Sequence, residues 1–74
     1  MDTQGIKVSV MKTVYDVQQL LKRFGIFIYT GNRSADLDFM EDEIRELYEH
    51  GLIEQSDFTA ATLILKNEKR KYQS

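Results

Sequence analysis

Apolar residues recur at helical spacing in three stretches of the chain. In the first, Val14, Val17, Leu21 and Phe24 share one face, and Leu20 widens it. Thr13 stands in front with Asp16 three residues on, close to a capping box, and Gly25 follows where a left-handed residue can end a helix. In the second, Leu37, Met40, Ile44 and Leu47 form the stripe; Asn32 or Ser34 can cap it, and His50 and Gly51 close it. The third places Phe58, Ala61, Thr62 and Leu65 on one side with Ala60 and Ile64 beside them. Ser56 is its predicted cap, and the polar end "NEKRKYQS" is expected to fray.

The joints decide how these helices stack. "GLIEQ" is short, so the second and third helices are expected to form an antiparallel hairpin with Leu52 and Ile53 tucked beneath the turn. "GIFIYTGNR" is different. Ile26, Phe27, Ile28 and Tyr29 are strand formers with no second strand to pair them, which predicts an extended crossover rather than a sheet. The fold class that follows is all-α: a three-helix, bundle-like domain whose second half is an antiparallel helical hairpin.

Size and composition narrow the picture. With 74 residues the chain makes one domain at most, and a domain of that length buries only about 60% of the surface its unfolded chain exposes. There is no cysteine, hence no disulfide and no thiolate ligand or nucleophile, which fits a reducing cytoplasm. No stretch approaches the roughly 20 apolar residues that cross a bilayer, and the first ten residues lack the apolar run of a signal peptide. Net charge is -2, too small and of the wrong sign to hold nucleic acid or an anionic membrane by a global field.

Three stretches, "MKTVYDVQQLLKRFG", "IYTGNR" and "MEDEIRELYEHGLI", resemble the YqgQ-like family of small proteins from Gram-positive bacteria, from Met11 to about Lys69. The resemblance implies a three-helix all-α domain and brings no activity with it. Members of that family typically begin near Met11, so residues 1–10 are expected to be an upstream start or an added leader without order. Residues 11–70 are then the domain, and 71–74 its frayed end. "EIRELYEHGLIEQSDFTAATLIL" is also similar to helical hairpins of oligomerising bacterial modules.

Charge is unevenly spread. Asp36, Asp38, Glu41, Asp42, Glu43, Glu46 and Glu49 crowd the second helix with only Arg45 among them. The core stripe sends Asp38, Asp42, Arg45 and Glu49 to the outer face, with Asp36, Glu41 and Glu46 on its flanks. Glu41–Arg45 and Arg45–Glu49 are i, i+4 pairs, and Asp36 and Asp38 suit the positive end of the helix dipole. These roles describe a solvated face. A working carboxylate pair needs environments that separate its pKa values, and a di-metal centre needs facing ligands, of which the third helix offers Asp57 and Glu68. His50, the single histidine, falls at a helix C-terminus where its cation is favoured. No serine has a nucleophile-elbow setting and no loop matches a phosphate cradle. No catalytic residue, metal site or cofactor is expected, and an enzyme is the poorest reading.

One segment carries a sharper possibility. In "KRFGIFIYTGNR", Lys22, Arg23 and Arg33 bracket Phe24, Phe27 and Tyr29, the interleaving that a stacking surface for single-stranded nucleic acid uses. The plainer reading is that Phe24, Phe27 and an isoleucine close the end of the small core, with Tyr29 at the rim. The leading expectation is a non-enzymatic binding or adaptor module of the cytoplasm, acting through protein contacts, self-association included. The alternative is weak, sequence-tolerant single-strand binding. Either would use Lys22, Arg23, Phe27, Tyr29 and Arg33 together with Lys69, Arg70 and Lys71 of the basic C-terminal end.

Overall fold

A computed structural model describes residues 11–72; the expected leader at residues 1–10 lies outside the described residues. Three helices account for most of them: α1 (Val14–Arg23), α2 (Arg33–Glu49) and α3 (Gln55–Lys69), the last continued by a 3-10 turn over Arg70–Tyr72. The described residues contain no strand. This is the three-helix architecture that the periodicity predicts.

Local chemistry sets the helix ends. Thr13 accepts from the Asp16 amide at 3.3 Å, while the Asp16 carboxylate accepts from the amides of Lys12 at 2.9 Å and Thr13 at 3.1 Å, so the capping box is complete with the shorter acid. These backbone amides, Lys12 first, hold the Asp16 carboxyl below its ordinary range. At the other end Gly25 adopts φ +76°. Its amide donates to Lys22 O, and the Ile26 amide reaches back to Leu21 O at 3.0 Å. That paired pattern needs a left-handed residue, which a side chain would strain. The end of α2 repeats it around Gly51, with the Leu52 amide 2.8 Å from Leu47 O.

Asn32 is the cap of α2, accepting from the Ala35 amide at 2.9 Å. The predicted Ser56 cap is not used: α3 begins after Glu54 and has no side-chain cap. Ile53 is buried in the core, and the helix starts as soon as that anchor is set, leaving Ser56 within the first turn. Its neighbour Leu52 is not tucked away but 56% exposed, since a single side chain fills the space under the turn.

Val14, Val17 and Leu21 of α1, Leu37, Met40, Ile44 and Leu47 of α2, Ile53, and Ala61 and Leu65 of α3 form one buried cluster. Tyr48 near the end of α2 stacks on Phe58 near the start of α3, with centroids 4.4 Å apart and planes 11° off parallel. At the opposite end Lys66 and Lys69 of α3 reach Glu41 of α2. The two helices are therefore antiparallel. The first turn of α1 shares a groove with Arg33 and with the end of α3, whereas Leu21 shares another with Met40. So α1 runs in the same direction as α2, and the crossover must travel back along the bundle.

Candidate binding surface

The acidic helix is not the uniformly solvated face that its sequence suggests. Asp36 and Glu41 are buried. Glu41 Oε2 lies 2.9 Å from Lys66 Nζ and its Oε1 2.9 Å from Lys69 Nζ, while Lys69 also holds Asp38 Oδ1 at 2.8 Å. Burial alone would push the Glu41 carboxyl up, but hydrogen bonds from Lys69 and Lys66 outweigh it and bring it below its ordinary value. Asp38 and Glu41 in turn raise Lys69 above the usual lysine range. The expected Glu41–Arg45 pair is replaced by this cross-helix one, and Arg45 pairs with Asp42 at 3.2 Å. Packing of α3 explains the exchange, because it brings two ammonium groups to the flank of α2 that Glu41 occupies. The signal was present in the sequence as i, i+3 spacing on both helices, Asp38 and Glu41 on one and Lys66 and Lys69 on the other.

Asp36 has a separate task. Its Oδ1 accepts from the Thr30 amide at 2.8 Å and from the Thr30 hydroxyl at 2.6 Å, which fixes the end of the crossover to the first turn of α2. The Ile26 amide is fixed to α1 by Leu21 O. Between these two anchors burial alternates with a period of two, the signature of extended chain. Ile26 and Ile28 pack against the core; Phe27 is 73% exposed and Tyr29 is 89% exposed. The plainer expectation for this segment is corrected accordingly: the isoleucines close the core, Phe27 points away from it, and Phe24 is 39% exposed at the turn. Parity decides this, since adjacent residues of an extended chain face opposite ways.

The eight residues singled out from the sequence separate into groups. Lys22, Phe27 and Tyr29 line one groove of about 210 Å³, with Leu21, Ile26, Ile28 and Met40 as its apolar floor. Arg23, exposed, is the next residue along α1. Neither Lys22 nor Arg23 is in an ion pair among the described residues. Arg33 instead lies 3.7 Å from Glu68, Lys71 is 3.2 Å from the same carboxylate, and Lys69 is committed to α2. Arg70 is exposed on the 3-10 turn. The basic C-terminal end is thus largely neutralised by α2 and Glu68, while the crossover joins two large rings to two cations.

His50 caps α2, its Nδ1–H donating to Glu46 O at 2.8 Å. Among the described residues no group of His, Asp and Glu is placed to hold a metal ion. No helix among them is long and apolar enough to cross a membrane.

The comparison with known proteins points one way. The sequence model of the YqgQ-like family matches residues 11–71. A protein of Bacillus subtilis (strain 168), "Uncharacterized protein YqgQ", is 47% identical over 58 residues, which are 78% of this chain and 82% of that protein.

Proposed function

The chain belongs to the YqgQ-like family, and for it we propose a non-enzymatic binding module of the cytoplasm that engages protein partners through the α1–α2 crossover. One observation carries this reading: Phe27 and Tyr29 stand outward side by side on a segment whose two ends are anchored. Exposed aromatic rings on a fixed backbone supply contact area with little ordering cost. The groove beneath them adds an apolar floor, and Lys22 and Arg23 at its edge favour a partner carrying acidic residues. A sequence without cysteine supports the reducing compartment.

A second reading, sequence-tolerant binding of single-stranded nucleic acid, is favoured by the placement of Lys22 and Arg23 beside the same rings. With Arg33, Lys69 and Lys71 already paired to acids, few phosphates could be neutralised, so such binding would be weak and only mildly salt-dependent.

The test is capture from cytosol of Bacillus subtilis (strain 168), the source of the 47% identical relative, with the wild-type chain and with a Phe27→Ala/Tyr29→Ala variant, each with and without nuclease. Capture that disappears with the two rings and ignores nuclease supports the protein-binding reading. Capture that nuclease abolishes favours the second. A captured set unchanged by the double variant overturns both.

A further inference from the structure

The groove beneath the crossover reaches into the core. Leu21 and Met40 are fully buried, yet both line it, and the partly buried Ile26 and Ile28 complete an apolar floor. The rim is of a different kind. Phe27 and Tyr29 stand on the crossover side, and α1 contributes the amide of Gln18 and the ammonium group of Lys22. Among the described residues Lys22 is the single charged side chain of the lining, it is exposed, and it is in no ion pair. Arg23 is exposed beside it without lining the groove. An apolar floor with few polar groups at its edge is the general composition of a small-molecule site.

Volume limits what can enter. The groove measures about 210 Å³, above the roughly 150 Å³ of an engineered apolar cavity that takes up benzene and below the roughly 300 Å³ at which sites for drug-sized ligands begin. One ring fits, and two do not.

We infer that the groove is a binding site for a small aryl carboxylate, its ring on the floor formed by Leu21, Ile26, Ile28 and Met40 and its carboxylate at Lys22, with the Gln18 amide as a further donor. Three features select this class. The lining holds a cation and no acid, so the charge it complements is negative. That cation is a single ammonium, which matches a monoanion; a phosphate is better served by the fork of an arginine or by several cations. The thioether of Met40 and the rings of Phe27 and Tyr29 make favourable contacts with an aromatic edge. The inference goes beyond the protein-binding reading and stands without it, because it needs no protein partner.

Hydrocinnamate, a phenyl ring two methylenes from its carboxylate, is the probe, and its neutral amide is the control of equal shape. In amide NMR spectra of the full-length chain, hydrocinnamate should saturably shift Gln18, Lys22 and residues 26–29, with a dissociation constant in the millimolar range expected of so small a ligand. Tyr15, Asn67 and Lys71, which line the other groove, should stay in place. The neutral amide should bind about two- to fivefold more weakly, the range of one exposed ion pair. Lys22→Gln should abolish that preference while leaving the affinity for the neutral amide unchanged, and Lys22→Arg should keep it. Lys22 is exposed, so both variants should fold, and their spectra without ligand check this. The inference is overturned by the absence of a saturable shift at about 20 mM hydrocinnamate, well above the expected constant. Shifts centred on the other groove, equal affinity for acid and amide, or a preference that survives Lys22→Gln overturn it as well. Ring-dependent capture judges the protein-binding reading separately, so the two can fail independently.

Discussion

The α2–α3 junction and the α1–α2 crossover are made of opposite materials, and each uses them against its usual habit. At the junction, a carboxylate that ordinarily remains in water is buried: Glu41 is held by two lysines, one of which also binds Asp38. At the crossover, rings that ordinarily fill cores stand in solvent, while two isoleucines take the interior. The junction pairs Asp38, Glu41, Lys66 and Lys69 with one another, so these residues contribute to stability and have little left to offer a ligand. The crossover does the reverse. Its ends are anchored by Leu21 O and Asp36, and of the residues between them Ile28 packs against the core while Phe27 and Tyr29 contribute little to it. Charge density alone would direct attention to α2, whereas the two exposed rings are on the crossover, beside Lys22 and Arg23 at the end of α1, which are unpaired among the described residues.

The sharpest break of this contrast is at Glu41. Replacing it with Ala removes two charge-assisted hydrogen bonds at a buried position, and the loss should be about 2–3 kcal/mol in urea unfolding. A loss below about 0.5 kcal/mol would place Glu41 among ordinary surface acids.

Acid titration probes the same contact. The folded pKa of Glu41 lies below its unfolded value, so its contribution is present above the unfolded pKa near 4.5 and is lost as pH falls through the lower folded value. Asp16, held down by the Lys12 and Thr13 amides, behaves the same way from 3.8 downward. Lys69 is raised, so its contribution is complete below 10.5 and fades as pH climbs through the higher folded value. Thermal midpoints measured from pH 6 to pH 2 should fall less for Glu41→Gln than for the wild type, because the variant has already lost that contribution at neutral pH. Parallel curves would remove Glu41 as a source of the acid sensitivity.

At the crossover the anchor matters more than the rings. Thr30→Val deletes the hydroxyl donor to Asp36 and keeps the backbone amide, which should cost about 1 kcal/mol. Amide exchange should report it locally, with faster exchange at Thr30 than at the α2–α3 core amides. Equal acceleration across the domain would show that the anchor is no local feature.

The smallest effect belongs to the rings themselves. Phe27→Ala and Tyr29→Ala should each change stability by less than about 0.5 kcal/mol, as exposed substitutions do. A loss above about 2 kcal/mol for either would return that ring to the core and take the binding surface with it.

Much of the fold was legible along the chain because helices advertise themselves locally. Thr13 with Asp16, Asn32 before α2, Gly25 and Gly51 after α1 and α2, and the stripe from Leu37 to Leu47 each act within a few residues, and each occurs where the pattern put it. Ser56 is the instructive exception: its local signal is sound, but a buried Ile53 begins the helix earlier. The candidate surface was half legible. The segment from Lys22 to Tyr29 stood out by composition, whereas Lys69 and Lys71 looked equally available until their carboxylate partners were located 28 and three positions away in sequence.

What the sequence by itself determined, then, is the set of helices, their caps, and the apolar residues that form the core, because those depend on spacing and on backbone hydrogen bonds made nearby. The tertiary structure decided the fate of everything at the edge of a stripe. Glu41 and Glu46 belong to the same helix and the same residue type, yet only Glu41 lies where α3 brings two ammonium groups. Phe27 and Ile28 are adjacent strand formers, yet the anchoring of Ile26 and Thr30 fixed which of them faces the core. Whether such a side chain is solvated, paired or buried depends on what a distant element sets beside it, and that distance in sequence is why no local pattern could assign it.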